Sequence, residues 1–249
     1  MKSGITSLLT GLSLVLVSCL GAVPAEAAPA VGSFTNGTFA NVSGLYSDNS
    51  GNGYESLQSE STAISGWTVI DVDWINTYWK APGGNSIDLN GNGAGGVWQT
   101  FHTISGATYD VSFWLAGNFD PSSIKTTWTA MVWTQRPGNV KYFTVTEPDT
   151  WSHQDMGFQL KHYVFTATAT STKLTFFGDL NTMYWGPVIA DVSVVRVPTS
   201  GVQCKDPGWQ LYSNPSTLMP FMNQGQCVSY FATLGDTPIG SSNSSWLNN

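Results

Sequence analysis

In "VDWINTYWKAPGGNSIDLNGN", residues 72–92, Trp74, Tyr78 and Trp79 stand within a few positions of Asp71, Asp73 and Asp88. A sugar ring has an apolar C–H face and a rim of hydroxyls. A site for one therefore pairs an aromatic plate with carboxylates or amides, and this stretch carries both. In a strand, Asp71 and Asp73 share one face while Val72 and Trp74 share the other. The following "GGNSIDLNGN" adds Asn85, Asp88 and Asn90 as polar groups. A competing reading puts Trp74 and Trp79 in a core and leaves Asp88 and Asn90 to hold turns through local hydrogen bonds.

Further aromatics stand in loop-like sequence. Trp151 lies beside His153 and Asp155 in "EPDTWSHQDMG", and Tyr184 and Trp185 form the centre of "NTMYWGP". Aromatics on the loops of a rigid scaffold are where binding sites usually lie. The predicted ligand contacts are Trp74, Tyr78, Trp79, Trp151 and Trp185 for stacking, with Asp73, Asn85 and Asp88 as hydroxyl partners. Trp128 and Trp133 are an odd number of positions apart, which puts them on opposite faces of a regular strand.

Catalysis has weaker support. Glycoside hydrolysis needs two carboxylates across the substrate, and Asp71 with Asp73, or Asp149 with Asp155, is the available pairing. His102 and His162 sit in strand-like runs outside any H-E-x-x-H motif. The serines lack a G-x-S-x-G elbow. "GNGAGG" runs into a strand-like "VWQTF", whereas a phosphate-cradling loop feeds a helix. The expectation is a protein without catalytic residues, with a glycan-active hydrolase as the alternative.

Composition sets the class. The 249 residues include 26 glycines, 13% aromatics and 10% charged residues, with a net charge of −7. Nine scattered Lys and Arg cannot make a phosphate-binding surface, so nucleic acid is excluded as a partner. Residues 1–27 read as a signal peptide: Lys2, an apolar run, and an A-x-A site at Ala25–Ala27. The expected location is therefore secreted or extracellular. In the alternative reading "LVSC" makes Cys19 a lipidated N-terminus that anchors the chain at the cell surface. No later run is apolar for the roughly 20 residues of a membrane span. The remaining cysteines, Cys204 and Cys227, read as a disulfide in an exported chain; a two-cysteine zinc site is the weaker alternative, since no His lies in that segment.

From Gly32 to Val197, short β-runs alternate with Gly, Asn, Ser and Pro. In "TYDVSFWLAG", Tyr109, Val111, Phe113 and Leu115 alternate with Asp110, Ser112 and Trp114. Ten such runs, among them "GSFTNGTF" and "GWTVIDVDWI", and no helical amphipathicity predict an all-β jelly-roll sandwich. The expected organisation is a sandwich over 31–197, a linker over 198–203, a disulfide-stapled segment over 204–235 and a polar tail over 236–249.

The ordered series "GSFTNGTF", "ISGWTV", "VDWINTYW", "SIDLNG", "QTF", "GATYDVSFWLAGN" and "ADVSVV" resembles the bacterial choice-of-anchor C family, related to the domain-of-unknown-function 642 proteins of plant cell walls. The segment from Cys204 resembles a small two-cysteine module of secreted bacterial proteins. The resemblance implies a galactose-binding-like jelly roll associated with walls or polysaccharides, and no known reaction. A glycan ligand is the expectation; the alternative is a structural or adhesive cell-surface protein that binds a protein partner, such as one in a cell wall, since loop aromatics serve both purposes. The resemblance also implies a structural Ca²⁺ held by a Glu near the first strand and an Asp before the last. Asp191 is retained here, but Thr35 stands where the Glu would be, which weakens the calcium set. No other cofactor is expected.

Overall fold

The computed structural model describes residues 34–45, 51–119, 127–135, 139–148, 150–178, 180, 183–205 and 207–234. The signal segment with Cys19, Asp149 and the tail from 236 lie outside the described residues.

Two antiparallel sheets face each other. One has six strands in the order β1-β3-β4-β11-β6-β9, the other five in the order β2-β5-β10-β7-β8. The first comprises β1 (Tyr54–Leu57), β3 (Val72–Ile75), β4 (Ser86–Asp88), β6 (Thr108–Gly117), β9 (Gln159–Thr166) and β11 (Pro187–Val197). The second comprises β2 (Thr68–Ile70), β5 (Gly96–His102), β7 (Thr127–Thr134), β8 (Lys141–Thr146) and β10 (Ser171–Phe177). The architecture is the predicted jelly-roll sandwich. Side-chain alternation builds the core: Tyr109, Val111, Phe113 and Leu115 of β6 turn inward, where Phe113 meets Phe143 and Phe176 edge to face. Trp128 is buried and Trp133 half-buried, so they take opposite faces of β7 as their spacing requires.

Four elements differ from the sequence expectation. The described part of "GSFTNGTF", 34–39, is not a strand, because Asn36 and Phe39 take left-handed backbone, φ 55° and 56°. The Asn36 side chain bridges the turn, accepting from Asn41 N–H and donating to the carbonyls of Asn41 and Ser65. "GWTVIDVDWI" is two strands in different sheets. The chain breaks at Asp71, φ 48°, a conformation that Asp tolerates better than most residues. Strand β1 and the helix α1 (Gln224–Leu234) were not predicted at all.

The C-terminal segment has its own small core of Tyr212, Phe221, Tyr230 and the disulfide Cys204–Cys227, with Cα atoms 5.5 Å apart. Ser213 N–H donates to the Arg196 carbonyl at 2.9 Å, and the Arg196 guanidinium lies over the Tyr212 ring. Asp110 and Ser112, on the outward side of β6, are buried as well. Asp110 lies near enough to Tyr230 to add to the burial that pushes that phenol's pKa up. This part of the six-stranded sheet is therefore covered on its outer side.

Candidate functional site

Register builds a site at the opposite end of the same outer face. Tyr54 pairs with Ile75 and Ser56 with Asp73. In turn Ile75 pairs with Ser86 and Asp73 with Asp88. Directly opposed residues share a face, so two rows form, Tyr54–Ile75–Ser86 and Ser56–Asp73–Asp88. Around them stand Tyr78 and Trp79 from the turn after β3, Gly91 and Asn92, Asn118 at the end of β6, and the Tyr184–Trp185 turn before β11. They bound an open groove of about 280 Å³. Tyr184 is 49% exposed, Tyr54 38% and Trp185 37%. Tyr54 meets Tyr78 at 5.4 Å between ring centroids, and Tyr184 meets Trp185 at 6.1 Å.

Asp88 ties the groove together from beneath. Its carboxyl accepts from Asn90 N–H at 2.9 Å, Gly186 N–H at 3.0 Å and Asn118 Nδ2 at 2.7 Å. Three donors favour the ionised form, but complete burial outweighs them and pushes its pKa up to about 8. Asp73 is also raised, first by burial and further by the charge of Asp71, while the Ser56 hydroxyl donating at 2.5 Å opposes the shift. Gly186 is required at its position, because a Cβ there would run into Asp88 Oδ1 and the Asn90 backbone. Tyr184 adopts φ 66°, and its N–H donates to the Gly91 carbonyl at 2.8 Å. The other side of that loop is held by Asp71, whose carbonyl accepts from Gly91 N–H and whose carboxylate accepts from Asn92 N–H. Strained backbone of this kind persists where its surroundings fix it, and it aims the exposed ring.

The structure brings Asp73, Tyr78, Trp79 and Trp185 to one groove and corrects the rest of the predicted set. Trp74 is 4% exposed and donates its Nε1–H to the Phe39 carbonyl, so it is a core residue and no stacking plate. Strand alternation is the reason: Trp74 and Asp73 point to opposite sides of one sheet. Trp79 lines the groove but is 3% exposed, with its Nε1–H on Ser86 Oγ at 2.8 Å, so it forms wall and offers no ring face. Asp88 cannot meet a ligand hydroxyl, since it is sealed beneath the loops it holds. Asn85 is half-buried and outside the groove lining. Trp151 is half-buried against Phe119 and His153 and is no free platform. Asp155 accepts from Gly157 N–H in a tight turn. His102 faces outward on β5, and His162 pairs with Asp110 at 2.8 Å. Tyr54, Ser56, Asn92 and Asn118 were missed, because only strand pairing and loop closure bring them to the groove.

At the expected calcium corner, Asp191 has φ 45° at the bulge between Ala190 and Ser193. The backbone of Thr35 is bracketed by the Gln99 amide, which accepts from its N–H and donates to its carbonyl. Among the described residues no group of three or more His, Cys, Asp or Glu is placed to hold a metal. One carboxylate does not make the oxygen-rich cage that calcium selects, so the residues present do not fit the implied ion.

The model of DUF642, a protein family of unknown function, matches residues 32–195. The chain belongs to the DUF642 family. A relative is halomucin of Haloquadratum walsbyi, 33% identical over 109 residues, or 42% of this chain; the match spans 1% of that protein's length. Among solved structures, a CBM4 protein aligns at 18% identity over 65% of this chain and 98% of its own, with a TM-score of 0.35. CBM35 from Paenibacillus barcinonensis aligns at 16% identity over 56% and 97%, with a TM-score of 0.37. Overlays this loose transfer no site to this DUF642 chain. Among the described residues no helix is long and apolar enough to cross a membrane.

Proposed function

We propose that this DUF642 chain is a secreted, non-catalytic binding protein that holds a sugar unit of a cell-wall or extracellular polysaccharide in the β1–β3–β4 groove. One observation carries the reading: exposed rings of Tyr54, Tyr184 and Trp185 stand beside Asp73, Asn92 and Asn118 in a single open groove. The rings supply faces for C–H groups, while the carboxyl and amides supply partners for hydroxyls. Asp73 disfavours an anionic sugar, so the groove suits a neutral one. Hydrolysis would need a second carboxyl facing the ligand. Asp88, the nearest in register, is sealed under the groove and tied to three donors.

Electrophoresis through gels containing neutral polysaccharides such as xylan tests this. Retardation is expected for the full chain, with about tenfold weaker binding, or about 1.4 kcal/mol, in Tyr184→Ala/Trp185→Ala. Equal retardation of the variant, or none for the parent across neutral polysaccharides, would remove the groove as a glycan site. Release of reducing sugar that stops in Asp73→Asn would replace binding with hydrolysis.

A further inference from the structure

The outer face of the five-stranded sheet carries a second constellation. Register sets Thr68 against Trp98, Trp98 against Thr175, and Thr175 against Trp133, one row across β2, β5, β10 and β7. The two indoles are thus two strands apart, about 10 Å at ordinary strand spacing, which is the run of two linked pyranose units. Thr175 lies between them, 5% exposed, as the floor of a shallow saddle. Phe177 leans on Trp133 with ring centroids 6.3 Å apart and continues the apolar strip. Around the strip stand exposed Thr100, His102 and Lys173, and the Lys173 ammonium lies 4.3 Å from the centre of the Trp98 ring.

Charge selects the occupant. The chain is net −7, yet none of the five strands of this sheet contains an Asp or Glu. Its outward cation is Lys173, with His102 two positions of register away, since Ser171 pairs with His102 and Lys173 with Thr100. Carboxylates on the outside of the other sheet lie beyond the sheet spacing of about 10 Å. That is roughly one Debye length at physiological salt, which weakens their effect on a ligand lying over Lys173. Exposed Glu60, whose N–H donates to the Val69 carbonyl, stands at the β2 edge, with β5 between β2 and the Lys173 strand. The geometry points to a second binding surface, separate from the groove, on which an extended acidic polysaccharide lies across the strands. Uronate rings rest on Trp98 and Trp133, and a carboxylate draws the Lys173 ammonium off the indole. A neutral chain could use the rings but would leave the lysine unmatched. In a face-to-face dimer of this chain the same sheet would present Lys173 again, with no Asp or Glu in its strands to meet the lysine.

Affinity electrophoresis of the full chain in polygalacturonate, with dextran as the neutral control, tests this surface independently of the groove. Retardation is expected in polygalacturonate and is expected to weaken with added salt. Trp98→Ala/Trp133→Ala should bind about tenfold more weakly, or about 1.4 kcal/mol. Lys173→Gln, a fully surface change, should lose the preference for polygalacturonate, and Tyr184→Ala/Trp185→Ala should bind it as the parent does. Retardation that survives Lys173→Gln and the double tryptophan variant would overturn the proposal. So would a concentration-dependent dimer abolished by the same tryptophan changes, since the face would then belong to a second copy. Loss of polygalacturonate binding in the groove variant alone would assign the acidic chain to the groove instead.

Discussion

The two sheets of this sandwich share a core and treat their outer faces in opposite ways. The strands of the six-stranded sheet contain Glu55, Asp73, Asp88, Asp110 and Asp191, and those of the five-stranded sheet contain no acid. The outside of the first is covered at one end, where Asp110 and Ser112 are buried, and roofed by loops at the other, where Asp73 and Asp88 line or support a groove. The outside of the second presents half-buried Trp98 and Trp133 among threonines. Carboxylates tolerate burial where donors or partners meet them. Asp88 with its three donors and Asp110 with His162 are such cases. A face without acids needs no cover and remains available as a flat surface. The contrast teaches that the same alternating strand can build an enclosed site or an exposed platform, depending on what the loops and the C-terminal segment do above it.

Tryptophans on the two faces give the largest test. Trp74→Ala empties a core position and removes the Nε1–H donor of the Phe39 carbonyl, for an expected loss of about 3–5 kcal/mol. Trp133→Ala, from the outer face, should cost about 1 kcal/mol or less. Urea unfolding curves measure both, and similar losses would dissolve the distinction between core and platform.

The covered end is tested next. Cys227→Ser opens the loop closed by the disulfide and should cost about 3 kcal/mol on the chain-entropy estimate. Amide exchange should rise across 204–234 and at β6, with β5 and β10 little changed. Equal loss of protection in both sheets would mean that the segment supports the whole sandwich and not one face of it.

The acid-bearing sheet should also give the fold its pH dependence. The pKa of Asp88 is raised to about 8, and that of Asp73 is raised too. Folding therefore strengthens proton binding at these carboxyls. The associated stability is fully present below the unfolded pKa of about 4 and is lost as pH rises toward about 8. Thermal midpoints should fall by several degrees over that window, and Asp88→Asn should flatten the slope. A midpoint that rises with pH would contradict the assigned burial.

The smallest effect on stability is expected at the groove rim. Tyr184→Ala/Trp185→Ala should change the unfolding free energy by about 0.5 kcal/mol or less, since surface substitutions of this kind rarely do more, while weakening glycan retention. A large destabilisation would show the rim rings to be structural.

The sequence alone determined the fold class, the faces of the long strands and the disulfide. Period-two alternation in β6 and the odd spacing of Trp128 and Trp133 are local facts that a pleated strand must obey. Of three cysteines, Cys204 and Cys227 stand outside the apolar N-terminal run, and two such cysteines leave one pairing between them. Only the tertiary structure decided which side of each strand is inside and which distant residues meet. Tyr54 and Ser56 join Asp73 through a four-residue strand too short to announce itself, and Asn118 arrives from another strand through its bond to Asp88. Trp74 and Asp88 carried the right chemistry and were placed out of a ligand's reach. A side chain's type and spacing fix what it can do, but access depends on strand pairing and loop closure, which join positions far apart in the chain.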